Sequence, residues 1–184
     1  MNDHSPGEPG FVRDATAADA SSIAAVQRLC WRHDYDWPES VFETLAATDP
    51  ELQWARAVIA PPGPGYRLLV ATAGPGSGSP VVGYAALAPS ADVDADDSIG
   101  EIVAWEVRPD MRGAGHGSRL LAAVADHARS VGARTLAIWI EPRDDHRQHV
   151  LRTAGFEPDG AHREVAMDEQ VEPIAQVRLH AALA

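Results

Sequence analysis

The chain contains no lysine: all 15 of its basic residues are arginine, a bias that reads as genomic composition and carries no function by itself. Its one cysteine, Cys30, excludes an internal disulfide and fits a reducing cytoplasm. Cys30 precedes Trp31 in a helical pattern, so it reads as a small core residue and not as a nucleophile. No apolar run approaches the about 20 residues that a membrane-spanning helix needs. Met1-Asn2-Asp3-His4 lacks the charged-then-apolar order of a signal peptide, so a cytoplasmic protein is expected. Internal repeats are also lacking. Positive charge is scarce. With 15 basic against 27 acidic residues the net charge is -12, which argues against nucleic acid or anionic lipid as the main partner.

What is present is 184 residues with an ordinary hydrophobic share of 45%, enough for a full core. The expected organisation is a flexible stretch over residues 1–10, rich in Pro and Gly with little to bury, and a single domain over 11–184. Thr16 or Asp19 caps a first helix that carries Ile23, Val26, Gln27 and Cys30 at helical spacing. Pro38 opens a second helix, Glu39 to Ala47. Two Pro/Gly-rich loops, Ala60 to Gly65 and Gly74 to Pro80, bracket a strand from Tyr66 to Thr72; Val81 to Leu87 reads as its antiparallel neighbour. Ser90 to Ser98 is acidic, but it has Asp97 where a calcium loop needs glycine and Val103 where it needs glutamate, so it reads as a solvated loop. Then follow strand Ile99 to Val107, helix Gly115 to Val131, strand Thr135 to Glu141 and helix Asp144 to Ala154, stopped by Gly155. Two closing strands are expected near His162 to Met167 and Ile174 to Leu183. The fold class is α+β, a mixed, mostly antiparallel sheet of six to seven strands flanked by helices.

The most informative stretch is Arg112-Gly113-Ala114-Gly115-His116-Gly117, set between a strand and a helix. Glycines at alternate positions let the backbone turn tightly and clear side chains from a surface that a ligand can approach. The helix after them begins with unpaired N–H groups and a positive dipole end, a site for an anion such as a pyrophosphate. Arg112 adds a fork of donors. Arg108, Arg119, Arg143 and Arg147 lie nearby in sequence and read equally well as solvated charges. A dinucleotide site competes, with Glu141 at the end of the next strand as a ribose-binding acid. That fingerprint needs glycine at Ser118 and a turn directly after its strand, whereas Arg108 to Arg112 intervene.

The order strand, Arg-x-x-Gly-x-Gly, helix resembles the acyl-coenzyme A motif of the GNAT N-acetyltransferase superfamily. Trp105-Glu106-Val107-Arg108-Pro109 is similar to the strand end before the family's phosphate turn, and Ala154-Gly155-Phe156-Glu157-Pro158-Asp159-Gly160 to its "Gly-Phe…Asp-Gly" corner. The resemblance spans roughly Phe11 to Leu183. It implies an acetyl-CoA-dependent N-acetyltransferase that moves an acetyl group directly to a primary amine of a small molecule or protein, with general-base assistance. It implies acetyl-CoA as co-substrate, no metal, and a monomer or homodimer. The cofactor would lie on Arg112, Gly113, Ala114, Gly115, His116, Gly117 and Ser118, with its pantetheine arm pairing along Trp105 to Val107.

A neutral amine must meet the thioester, so a base is useful. Glu101 is the first candidate: the resemblance places a glutamate on this strand, and strict alternation puts Glu101, Val103, Trp105 and Val107 on one face. Glu106, on the opposite face by that alternation, is the second. The family's penultimate helix commonly reads "Asn-x-x-Ala-x-x-Phe-Tyr". Here those positions are Asp144, Arg147, Val150 and Leu151, so the cofactor-holding asparagine is replaced by Asp144 and the tyrosine acid is missing. His146 and His149 lie close, and His149 is the candidate proton donor; their His-x-x-His spacing lacks a third ligand for a metal. Trp31, Tyr35 and Trp37, in an acidic aromatic segment, are candidates for holding the acceptor amine by cation–π contact. The other reading is an acyl-coenzyme A binding module with weak or lost turnover.

Overall fold

The computed structural model describes residues 11–76, 78–166 and 173–184; the stretch expected to be flexible, 1–10, lies outside them. In chain order the elements are β1 (Phe11–Asp14), a 3₁₀ turn (Ala17–Asp19), α1 (Ala20–Asp34), α2 (Glu39–Ala47), α3 (Pro50–Ile59), β2 (Arg67–Thr72), β3 (Val81–Pro89) and β4 (Ile99–Val107). A second 3₁₀ turn (Pro109–Met111), α4 (His116–Ser130), β5 (Thr135–Ile140), α5 (Asp145–Thr153), β6 (Glu157–Val165) and β7 (Ile174–Ala182) complete the list. One seven-stranded sheet runs β1-β2-β3-β4-β5-β7-β6. Only β4 and β5 pair in parallel, because the chain between them crosses over through α4. The expected α+β sheet is therefore present, and no helix among the described residues is long and apolar enough to cross a membrane.

Each sheet face has its own core. On one, α4 lays Leu120, Leu121, Val124 and Ala128 against Leu69, Val82, Ile102, Trp105 and Ile138, and Leu151 of α5 joins them. On the other, Ile23, Val26 and Cys30 of α1 pack on Leu68, Val70, Tyr84 and Ala86, with Trp54 of α3 at the margin. The entry to α1 is fixed by a reciprocal cap: Asp19 accepts from Thr16 N–H and Oγ, both at 2.8 Å, and takes a bidentate grip from Arg13. That grip holds the Asp19 carboxyl down to about 2.

Several local expectations need correction. β1 and α3 were not expected; α3 carries its own signal, Pro50 in the first turn behind Asp49, whose carboxylate accepts from Leu52 N–H. β6 starts at Glu157, earlier than expected, and Met167 lies outside the described residues. The acidic loop is not merely solvated. Asp92 and Asp94 clamp Arg178 of β7 with Asp159, and Trp139 donates to Asp92. The strict alternation assumed for β4 also fails. The β3–β4 register slips between Ala86 and Leu87, so Ala86 faces Ala104 while Leu87 faces Ile102, leaving Val103 bulged and exposed. The extra residue puts Glu101 and Glu106 on the same face, opposite Ala88 and Tyr84.

β3 and β4 meet closely beneath this segment. A Cβ on Gly83 would come to 2.7 Å of the Glu106 carbonyl oxygen and 3.1 Å of Val107. Backbone cannot yield as a side chain can, so Gly83→Ala is expected to cost about 2–3 kcal/mol in denaturant unfolding, in the range of an overpacked core. A loss below about 0.5 kcal/mol would show that β4 moves freely there.

Candidate active site

The glycine turn has the geometry its sequence suggests. Gly113 and Gly115 sit at φ 80° and 79°, where a side chain is strained, and Gly115 caps α4. The first intrahelical bond in this turn is Arg119 N–H to the Gly115 carbonyl, so the N–H groups of His116, Gly117 and Ser118 have no helical acceptor. Trp105 backs the turn: its indole N–H donates to the Gly117 carbonyl at 3.1 Å, and a Cβ on Gly117 would stand 3.0 Å from its ring. Arg119 folds back over Gly115 and donates to the Ala114 carbonyl at 2.8 Å. His116 points inward, buried, with Nδ1 unpartnered; burial, then the charge of Arg119, lowers its pKa.

Arg112 departs from expectation. Its fork is not open for an anion: Nη1 and Nη2 grip Asp34 at 2.8 and 2.7 Å, and Nε donates to the Val107 carbonyl at 3.0 Å. Arg112 lines the cleft, and its side chain ties the end of α1 to the turn.

Beside the turn the sheet opens. β4 pairs with β5 only from Ile99↔Thr135 to Ile102↔Ile138, although β4 continues to Val107 and β5 to Ile140. The edge of β4 facing β5 thus loses its strand partner over Trp105, Glu106 and Val107. A cleft of about 600 Å³ fills the gap. Its walls are the glycine turn with Met111, the end of α1 (His33, Asp34, Tyr35), the open strand ends with Glu141, and Arg143 to Arg147 with Val150.

The floor is ionic. Arg147 donates to Glu106 at 2.6 Å, pairs with Asp144 through Nε at 3.0 Å, and lies 3.5 Å from Asp34. Glu106 is 6% exposed, and burial pushes its pKa up against the opposing pull of Arg147. Burial, then Asp144, likewise raises Glu141. Asp144 caps α5 by accepting from Arg147 N–H at 2.9 Å.

The other sequence candidates divide. Glu101 does not line this cleft; it accepts from Ser90 Oγ at 3.2 Å, beneath the acidic loop, with its pKa raised first by burial and then by Asp92. His149 is exposed outside the cleft wall, whereas His146 lines it. Tyr35 lines the cleft, but Trp37 and Trp31 stand behind it: Trp37 stacks on Tyr35 at 4.2 Å and 8°, and Trp31 meets Trp37 edge-on at 6.0 Å. Leu151 is wholly buried in the α4-side core, so a tyrosine substituted there would overpack that core. Sequence reasoning placed Asp34 only within the acidic aromatic segment offered to the acceptor, Arg147 only among arginines near the glycine turn that read equally as solvated charges, and Glu141 only as a ribose acid; that Asp34 and Arg147 meet at the cleft floor was not foreseen.

Residues 23–156 match the acetyltransferase (GNAT) family, and the chain belongs to it. The amino-acid acetyltransferase of Azotobacter vinelandii is 36% identical over 83 residues, 45% of this chain but 17% of that protein, so the chain matches about a sixth of that relative's length. Among solved structures, yncA of Salmonella typhimurium with acetyl-CoA superposes at a TM-score of 0.69 and 21% identity, covering 96% of this chain and 95% of that one. A phosphinothricin acetyltransferase of Sinorhizobium meliloti in complex with acetyl-CoA gives 0.66 and 21%, covering 96% and 90%. These likenesses establish the fold.

Proposed function

We propose that this chain, as one domain over residues 11–184, is an acetyl-CoA-dependent N-acetyltransferase acting on a primary amine of a small molecule or protein. The observation that carries the reading is one continuous cleft joining a bare helix N-terminus to an unpaired strand edge, with a buried carboxylate at that edge. The pyrophosphate would rest on N–H groups of Gly113 to Ser118 and the pantetheine arm would pair with the open edge of β4, as an added strand does. Acetyl-CoA bound in the neighbours supports the co-substrate. A reducing cytoplasm suits the single unpaired cysteine, Cys30, which is buried.

Glu106 is the base this arrangement favours, ahead of Glu101, because it lines the cleft and burial raises its proton affinity. The amine gives up its proton toward Glu106 as the C–N bond forms, and the C–S bond then breaks. A backbone N–H on the open edge, within Trp105 to Val107, would receive the oxyanion.

Calorimetry with acetyl-CoA and with NAD, followed by thiol release over free amino acids, phosphinothricin and a peptide with N-terminal alanine, tests the assignment. Tight acetyl-CoA binding without turnover on any amine would leave only a binding module. Glu106→Gln is expected to lower turnover about a hundredfold with acetyl-CoA affinity unchanged, the deficit shrinking at high pH where the free amine forms unaided. Should Glu101→Gln or Glu141→Gln show that pattern and Glu106→Gln not, the base is that residue and not Glu106.

A further inference from the structure

We infer that Tyr35 is a catalytic residue: from the end of α1, across the cleft from α5, its hydroxyl donates a hydrogen bond to the coenzyme A sulfur as the thiolate departs. The inference rests on the transferase reading above. The α5 wall has no tyrosine to offer. Leu151 is turned into the core, and the residues α5 gives the cleft are Asp145, His146, Arg147 and Val150. Tyr35 occupies the α1 wall of that same cleft, beside the floor formed by Glu106 and Arg147. Among the described residues its hydroxyl has no hydrogen-bond partner, so it is available to a ligand.

Its position is fixed from both ends. Tyr35 N–H donates to the Trp31 carbonyl at 3.0 Å, closing α1, and its ring lies flat on Trp37, which is wedged in turn between Trp31 and Phe42. A pyrophosphate on the glycine turn sends the arm away along Val107, Glu106 and Trp105, so its thioester end comes to the part of the cleft that holds Glu106 and Tyr35. Burial pushes the phenol up to about 12, against the pull of Arg147. Such a phenol stays protonated through neutral and mildly basic pH, and acts as a fixed donor without ionising. The balance is complete. The amine proton passes to Glu106, C–N forms, C–S breaks, and the sulfur leaves as a thiolate held by the Tyr35 O–H; a free thiol's pKa near 8.5 makes that thiolate a tolerable leaving group.

The test is Tyr35→Phe, which keeps the ring on Trp37 and removes only the hydroxyl. With acetyl-CoA and the amine of highest turnover from the panel above, kcat is expected to fall about tenfold, with acetyl-CoA affinity by calorimetry and the KM for the amine unchanged. The ratio of wild-type to variant kcat should stay constant from pH 6 to 9, because the donor does not titrate there. A raised amine KM with unchanged kcat would make Tyr35 an acceptor contact and overturn the inference, as would weakened acetyl-CoA binding. A wild-type kcat in Tyr35→Phe, with the loss found instead in His146→Asn, would give the role to His146. Failure of the wild type to release thiol with any amine strikes the transferase reading itself, whereas equal rates for wild type and Tyr35→Phe strike only this inference.

Discussion

Gly117→Leu is expected to weaken acetyl-CoA binding at least a thousandfold, or ~4 kcal/mol, while the rest of the fold survives. The size of the effect follows from what stands behind the residue. The substituted Cβ would lie 3.0 Å from the Trp105 ring. That ring is 7% exposed, packed in the α4-side core, and donates to the Gly117 carbonyl, so it cannot swing aside. The first turn of α4 must then lift away from β4, and the N–H groups of His116, Gly117 and Ser118 lose their common aim at one anion. Gly113→Ala meets no atom within 4 Å and carries only the strain of φ 80°, so its effect should be smaller. Gly63→Ala, in open space on the loop before β2, serves as the unperturbed control. Calorimetry with acetyl-CoA, with far-UV circular dichroism to confirm the helices, decides the matter. Wild-type affinity in Gly117→Leu would remove the turn from the cofactor site.

The conformation of the glycine turn was legible because its signal is local: glycines at fixed offsets, a strand before and an amphipathic helix after determine the backbone almost alone. The sheet class was legible for the same reason, since each strand announces itself by its own pattern. The face assignment of Glu101 and Glu106 was not, because it depends on a bulge. Val103 is the extra residue, and nothing in Ile102-Val103-Ala104 marks which member drops out of register; the slip is set by how β3 pairs with β4. The pairing of Arg112 was hidden for a related reason. Its partner, Asp34, is 78 residues away, and an arginine in an anion-binding motif looks free until the helix end that claims it is placed beside it. Tyr35, Trp37 and Trp31 were rightly grouped as one aromatic cluster, but only the packing shows that Tyr35 alone reaches the cleft and the two indoles hold it there.

Arg147→Met is expected to destabilise the protein by about 3–5 kcal/mol at neutral pH, the cost of leaving a buried charge without its partner. Arg147 is the cation at the centre of Glu106, Asp144 and Asp34, and methionine approximates its stem without its charge. The carboxylate left behind, on Glu106, is 6% exposed and has its pKa raised by burial even with Arg147 present. Removing the arginine raises it further. A carboxyl whose folded pKa lies above its unfolded value binds more protons in the folded state, so stability falls as pH rises from the unfolded pKa to the folded one. The deficit of Arg147→Met should therefore be full at pH 8 and should shrink steadily as the pH is lowered toward the ordinary glutamate range, where Glu106 is neutral in both states. Adding Glu106→Gln to Arg147→Met removes the stranded charge and should recover most of the loss while abolishing its pH dependence. Urea unfolding of the wild type, the single variant and the pair at pH 5 and pH 8 measures both effects. An equal deficit at the two pH values, unrelieved in the pair, would assign the stability to the packing of the Arg147 stem and not to its charge.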